Sequence, residues 1–348
     1  MSIKISIAPR TLHFKQPAGT SRGVYTTRQS WFVTATDDAH PDIRGVGECA
    51  PLPDLSCDAT PNYEERLKEL CNMVEAKGSI DYDTLRPYPS VLFGLETALL
   101  DLKRGGTGVL FDNSFARGET GIPINGLVWM GNYDEMLQRL EEKMRAGFRC
   151  VKLKIGAIDF DRELDLVRHI RSAFTKEQIE LRVDANGGFT ADCALQRLER
   201  LAQYDIHSIE QPIRQHQWEE MAALCKATPI PIALDEELIG VNDKTKKEEL
   251  LDRIRPHYII LKPSLHGGMY GSREWIALAG KRGIGSWITS ALESNVGLNA
   301  IAQFAADVYG ENITMPQGLG TGQLFTDNIP MPLEIRGDKL WRTFNVSK

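Results

Sequence analysis

From about Gly121 the chain repeats one pattern, a short apolar run followed by a stretch in which apolar residues recur with the period of a helix. The apolar runs lie at 122–128, 150–155, 181–183, 207–209, 230–234, 258–261 and 285–289, with a weaker one at 313–315. The helical stretches lie at 133–145, 162–173, 191–203, 217–226, 246–255, 272–282 and 296–309. Eight runs alternating with helices predict an α/β fold of the (β/α) barrel type.

A doubly wound open sheet is the alternative to the barrel. Its usual phosphate-binding fingerprint is matched in letters alone by Gly45-Val-Gly47-Glu-Cys-Ala50. Pro51 and Pro53 follow at once, and such a segment cannot open the helix whose N-terminus would hold a pyrophosphate. The number of repeats therefore favours the barrel.

The first hundred or so residues have a different pattern. Apolar residues alternate at 3–7, and further strands are predicted at 31–33 and 45–50, as in an antiparallel meander. Helical periodicity follows at 62–76 and 90–103, and the polar segments 16–28 and 51–58 are predicted to be loops. An α+β domain is expected to precede the barrel.

Composition and charge narrow the class of partner. The net charge of −6 and pI near 5.7 argue against binding to nucleic acid or an anionic membrane, so a small molecule is the expected partner. The six cysteines form no C-x-x-C pair, which argues against a zinc site or disulfide framework and favours a reducing cytoplasm. The N-terminus lacks a signal-peptide core, and no apolar run is long enough to span a membrane. The sequence does not decide whether the chain is a homo-oligomer.

The run 150–155 carries two lysines at alternate positions, Lys152 and Lys154. In a β-strand these side chains point to the same face. On an open face they would form an ordinary solvated strand edge. In a closed site, neighbouring ammonium groups lower each other's pKa, and one of the pair becomes usable as a base.

Acidic residues end the next three runs. Asp184, Glu210 and Asp235 are about one βα repeat apart, so their side chains are expected to meet at the C-terminal mouth of the barrel. Three neighbouring carboxylates cannot all stay ionised without a cation. A hard divalent ion with oxygen ligands fits them, and we predict Mg²⁺, with Mn²⁺ as an alternative ion.

Lys262 ends the following run and would face Lys152 and Lys154 across the mouth. Such a site is suited to removing a proton next to a carboxylate, because the ion and the ammonium groups stabilise the resulting enolate. The acid cluster argues against a Schiff-base aldolase. His266 lies just beyond a predicted strand end, and we interpret it as a loop residue rather than a catalytic one.

These residues resemble the enolase superfamily in its muconate-lactonizing-type subgroup, through Lys152-Leu-Lys154, the D-A-N, E-Q-P and D-E-E contexts of the acids, and Lys262-Pro-Ser. The known use of a lysine base with Mg²⁺ in this superfamily is the source of the mechanistic expectation. The resemblance implies a (β/α)₇β barrel over 121–324, under an α+β capping domain over 1–120 that the segment 325–348 completes.

Three further segments are similar to those of the dehydratases of menaquinone synthesis, namely 20–25, 45–53 and 290–297. This resemblance implies a syn loss of water from a cyclohexadiene carboxylate. Lys154 would take and return the proton, Lys262 would stay protonated beside the enolate, and Lys152 would keep Lys154 usable. Arg182 and Ser290 are weaker candidates for substrate contacts. The glycine run 318–322 is either a tight turn or a backbone cradle for a ligand carboxylate.

Two other functions stay open. A racemase of N-acylamino acids or an epimerase of dipeptides would use the same ion and one lysine on each face of the α-carbon. Dipeptide epimerases usually carry an acidic D-x-D pair at the last strand, where this chain has Gly318-Leu-Gly-Thr321. A barrel that only binds a ligand would be expected to lack one of the lysines or acids.

Overall fold

The computed structural model describes residues 3–20, 23–156 and 158–343. Its N-terminal part is a three-stranded antiparallel sheet in the order β1-β2-β3, covered by helices. The strands are β1 Ile3–Thr20, β2 Gly23–Asp37 and β3 His40–Cys49, and the helices are α1 Tyr63–Lys77, α2 Tyr82–Leu85 and α3 Pro89–Lys103. The buried cluster between sheet and helices includes Val33, Leu67 and Leu95.

The polar segment 16–28 differs from the prediction. Its described residues continue β1 and β2 as a long hairpin rather than forming a loop. Cross-strand pairing resumes after an irregularity between His13 and Ala18, where the intervening Pro17 has no N–H to donate. A polar sequence gave no strand signal here, because this hairpin extends beyond the buried sheet.

Glycines 45 and 47 of β3, which also fit the rejected phosphate fingerprint, have a packing role. A Cβ on Gly47 would lie 1.9 Å from the carbonyl oxygen of Gly94 in α3, and one on Gly45 would lie 2.0 Å from that of Ala98. Helix α3 therefore rests directly on the backbone of β3, and no side chain fits between them.

We expect Gly47→Ala to destabilise the capping domain by about 1–3 kcal/mol or more, since overpacking forces the backbone apart. Denaturant unfolding measures the change. Gly280→Ala is the matched control, because a Cβ there meets nothing within 4 Å. Equal stability of the two variants would contradict the close packing.

The barrel consists of seven parallel strands in the order β11-β10-β9-β8-β7-β6-β5. The strands are β5 Gly126–Val128, β6 Cys150–Lys154, β7 Glu180–Asp184, β8 Ser208–Glu210, β9 Ile232–Leu234, β10 Tyr258–Leu261 and β11 Gly285–Ile288. The helices are α4 Tyr133–Arg145, α5 Phe160–Ala173, α6 Ala191–Leu201, α7 Trp218–Ala227, α8 Lys244–Ile254, α9 Gly268–Gly280 and α10 Asn295–Tyr309. The predicted barrel architecture is confirmed.

The ring closes between β11 and the start of the barrel through Gln317 and Gly318, which form isolated bridges to Ile124 and Thr289. The predicted eighth run, 313–315, therefore lies a few residues too early. The closing residues are polar or glycine, so they carry no apolar signal. Gly318 is needed there because a Cβ would lie 2.1 Å from Oγ1 of Thr289.

The C-terminal segment contacts both parts of the chain. Phe325 bridges to Phe14 of β1, and Thr326 donates its N–H to the carbonyl of His13. Farther on, β12 Leu333–Arg336 and β13 Lys339–Arg342 form a sheet with β4 Ile122–Pro123, at the start of the barrel. Of these strand pairings, those of Phe325 and Thr326 reach the capping sheet, whereas those of β12 and β13 reach the barrel. Residues 344–348 lie outside the described part.

All six cysteines are free thiols. Across the described residues, we find no helix with the length and apolar character needed to cross a membrane.

Candidate functional site

Strand β6 places both of its lysines inside the barrel. Every residue of the strand is buried, and Lys152 and Lys154 are 9% and 8% exposed. The neighbouring strands cover both edges of β6, so the alternative of a solvated strand edge is wrong.

The three acids lie at adjacent strand ends. Asp184 and Glu210 are the last residues of β7 and β8, and Asp235 directly follows β9. The strand register pairs Lys154 with Asp184 and Asp184 with Glu210, so these side chains start at the same level of the barrel. All three carboxylates are almost completely buried.

Lysine ammonium groups bridge the acids. Lys152 Nζ lies 3.0 Å from Asp184 Oδ2 and 2.5 Å from Glu210 Oε2, while Lys154 Nζ lies 2.9 Å from Asp184 Oδ2. Lys262 Nζ forms an ion pair with Asp235. The three lysines and three acids that the sequence singles out are therefore brought together in one network.

His266 lies in the turn after β10, where a loop residue was predicted, and it is buried beside this network. Its Nδ1 accepts the backbone N–H of Lys262 at 2.8 Å, and desolvation lowers the pKa of His266 to about 3. A neutral imidazole with Nδ1 occupied by this bond orients the turn after β10.

The ion pairs set the charge states. Burial would raise the pKa of Asp184, but Lys152 and Lys154 outweigh it and hold the pKa below its usual value. Burial lowers the pKa of Lys152, but Asp184 and Glu210 outweigh burial and hold it above its usual value. The contacting carboxylates Asp184 and Glu210, rather than the neighbouring ammonium group, set the direction of this shift, so the expected lowering of the pKa does not occur at Lys152.

The donor set fits an oxygen-liganded cation, although its members are not gathered around one point. Within residues 3–20, 23–156 and 158–343, no three acidic, histidine or cysteine side chains have the geometry of a metal site. Within this network, three buried carboxylate oxygens nevertheless lack a hydrogen-bond partner, namely Glu210 Oε1, Asp235 Oδ1 and Glu236 Oε2. Buried oxygens without donors are the ligands that Mg²⁺ prefers.

Sequence reasoning missed two residues of the site, Asn186 and Glu236. Asn186 Oδ1 accepts a hydrogen bond from Lys154 Nζ at 2.6 Å, and its Nδ2 donates to Glu236 Oε1 at 2.8 Å. Both residues stand beside the predicted acids in the D-A-N and D-E-E contexts. That adjacency was the available signal, but it does not tell which neighbour turns inward.

A cavity of about 660 Å³ opens onto the three lysines and reaches the hairpin of β1 and β2 and the loop 51–58. Ser290 lines it and shares a hydrogen bond of 2.6 Å with Thr321, so Ser290 lies where a substrate contact was predicted. Gly318 and Gly320 also line the cavity, and this places the glycine run at its wall. Of the segment 20–25, Ser21 and Arg22 lie outside the described residues, while Tyr25 reaches the cavity.

Arg182 does not line the cavity, so the structure does not place it as a substrate contact. Its guanidinium points along the barrel interior, where Nε donates to Glu180 at 2.7 Å and Nη1 donates to the carbonyl of Pro316 at 2.9 Å. The group also stacks over Trp287. The alternation of side chains along β7 predicts that Arg182 points into the barrel. It does not predict whether the guanidinium then turns toward the C-terminal mouth of the barrel or away from it.

Comparison with known proteins matches both halves of the chain. Residues 20–102 match the N-terminal domain of MenC, and residues 135–337 match the enolase C-terminal domain-like family. An o-succinylbenzoate synthase of Desulfotalea psychrophila is 48% identical over 97% of this chain and 98% of that protein.

Solved structures agree. The crystal structure of MenC from Desulfotalea psychrophila has a TM-score of 0.82 and 43% identity, covering 98% of this chain and all of that one. The L-Ala-D/L-Glu epimerase of Bacillus subtilis has a TM-score of 0.80 over 99% of this chain and 97% of its own, but only 20% identity, so it shares the fold. With matches along nearly its whole length, this chain belongs to the o-succinylbenzoate synthase family of the enolase superfamily.

Proposed function

We propose that the protein is a hydro-lyase that converts 2-succinyl-6-hydroxy-2,4-cyclohexadiene-1-carboxylate to 2-succinylbenzoate in menaquinone synthesis. Family membership supports the reaction. The observation that carries the assignment of residues is the placement of Lys154 and Lys262 in one cavity. They reach it from β6 and from the end of β10, with three strands between them, so they face each other across the barrel.

Lys154 acts as the base and then as the acid. Its Nζ takes the proton from the ring carbon that bears the carboxylate, and the C–H electron pair moves into an enolate. When the enolate collapses, the neighbouring C–O bond breaks, and the departing hydroxide takes the proton from Lys154 and leaves as water. One lysine handling both transfers gives a syn elimination. Asn186 holds the amine through its Oδ1.

Lys262 stays protonated beside the enolate and stabilises its charge. Its ion pair with Asp235 supports this role. Burial lowers the pKa of Lys262, but the negative charges of Asp235 and Glu210 outweigh burial and hold the pKa above its usual value. Asp184, Glu210 and Asp235 would hold a divalent ion, with Mg²⁺ proposed and Mn²⁺ as an alternative. When bound, such an ion supplies Lewis-acid stabilisation of the carboxylate that becomes the enolate. The unpaired thiols support a reducing, cytoplasmic location.

Turnover tests the proposal directly. Purified protein with Mg²⁺ is expected to consume the cyclohexadiene substrate, which a change in ultraviolet absorbance follows as the ring becomes aromatic. If the substrate is untouched while N-acylamino acids exchange their α-proton in D₂O, the protein is a racemase instead.

The facing lysines also suit racemisation of N-acylamino acids, and Lys262→Arg separates the two reactions. Arginine keeps the positive charge but cannot give up a proton in a protein. We therefore expect dehydration to fall by about 10–100-fold while remaining measurable, because only charge is required there. Two-base racemisation would be lost completely. Loss of both reactions in Lys262→Arg, with the fold intact by circular dichroism, would contradict a purely electrostatic role.

A further inference from the structure

Arg28 of β2 is a buried cation that the proposed chemistry does not use. It is 2% exposed, and none of the described carboxylates lies within salt-bridge distance of it. Its guanidinium instead donates to four backbone carbonyls. Two belong to the capping domain, at Ala50 (2.5 Å) and Pro51, and two belong to the barrel, at Ala291 (3.4 Å) and Leu292 (3.3 Å).

Both segments that accept hydrogen bonds from Arg28 continue into the cavity wall. Leu52 follows the carbonyls of Ala50 and Pro51, and Ser290 and Leu292 belong to the barrel segment. All three of these residues line the cavity. One planar group with a fixed fork of donors thus sets the distance between two opposing parts of the wall.

The barrel segment is held in an unfavourable backbone conformation. Leu292 has a φ of 65°, in the left-handed region that a non-glycine residue rarely adopts. Such a conformation is strained and persists only where its surroundings fix it. The bond from Arg28 Nε to the Leu292 carbonyl is one of the contacts that fix it.

Two buried acids brace the same interface without touching the guanidinium. Glu48 accepts the N–H and Oγ–H of Ser294 at 3.0 and 2.5 Å, and Glu293 accepts the N–H of Ala291 at 2.7 Å. The segment from 291 to 294 is therefore held from both sides by charged groups. Their opposite charges offset that of Arg28 through the protein interior.

From this geometry we infer that Arg28 is a positioning residue. It joins the capping loop at 50–52 to the barrel loop at 290–292. It thereby sets the shape of the part of the cavity that holds the substrate away from the reacting atoms. This inference rests on the proposed function for its substrate. It makes Arg28 a determinant of substrate affinity rather than of the proton transfers, since Lys154 and Lys262 lie on other elements.

Arg28→Lys keeps the charge and the aliphatic stem but cannot reach four carbonyls. We expect its KM for the cyclohexadiene substrate to rise at least 10-fold, and its kcat to change less than threefold. The Kd of 2-succinylbenzoate, measured by calorimetry, is expected to rise in parallel. Arg28→Met is expected to show a larger rise if it folds.

Arg86→Lys is the matched control. Arg86 also joins the capping domain to the barrel, through Glu274 and the carbonyl of Asn242, but it does not line the cavity. Its KM is expected to stay within twofold of the wild type. An unchanged KM in Arg28→Lys, a fall confined to kcat, or an equal rise in Arg86→Lys would each overturn the inference. Failure of the proposed function would differ, since the wild type itself would then not turn over.

Discussion

Lys154→Ala is expected to lower kcat for dehydration by at least about 10³-fold, because a positioned acid or base contributes roughly 10²–10⁴-fold and this lysine serves as both. KM should change little, since the other cations of the cavity remain. Steady-state kinetics with the cyclohexadiene substrate measure both constants. In D₂O, the variant should also fail to exchange the α-proton of the substrate, because exchange needs only the first proton transfer.

Removing Lys154 also takes one of its two ammonium partners from the buried carboxylate of Asp184, so stability must be separated from catalysis. Lys247→Met provides that control. Lys247 is fully buried and pairs with Glu274 at 3.0 Å, much as Lys154 pairs with Asp184, but it lies outside the cavity. We expect Lys247→Met to lose stability and keep kcat within threefold. Residual proton exchange at the wild-type rate in Lys154→Ala would assign the base to another group.

The barrel and its charged centre were predictable because their signals are local and periodic. Most barrel strands lie in short, largely apolar and buried runs, and each acid directly ends such a run. Strand alternation then requires Lys152 and Lys154 to point the same way, and parallel pairing brings Asp184 and Glu210 to one level. Whether Lys152 and Lys154 lie on an open strand edge or in a closed site follows from the acids on the neighbouring strands, which form ion pairs with both lysines.

Other features depend on contacts between distant segments and leave no local pattern. The long hairpin of β1 and β2 is polar, and Gln317 and Gly318 close the barrel without an apolar run. The direction of Arg182 is set by Glu180 and the Pro316 carbonyl, the latter 134 positions away. The pKa of Lys152 likewise depends on which charges lie nearest, and spacing along one strand does not give that distance.

Chelation with EDTA is expected to abolish turnover, and added Mg²⁺ is expected to restore it. Four buried acids, Asp184, Glu210, Asp235 and Glu236, face three lysines, so a divalent cation offsets an excess of negative charge and provides partners for carboxylate oxygens that lack donors. Calorimetric titration of chelated protein should show one Mg²⁺ site, and saturation at 100 times Kd should add about 2.7 kcal/mol of stability.

Asp235→Asn should weaken Mg²⁺ binding by at least about 100-fold, because even groups behind the ligands contribute 10–100-fold to metal affinity. Asp101→Asn is the matched control, since Asp101 is a buried acid of α3 whose carboxylate accepts the backbone N–H groups of Val46 and Gly108. Its Mg²⁺ affinity should equal that of the wild type.

If chelated protein keeps full activity and shows no heat of binding, the carboxylates serve the lysines alone, and the ion has no place in the reaction. Equal loss of affinity in both variants would instead mean that Mg²⁺ binding reports the folded state, because a remote buried acid then matters as much as one in the site.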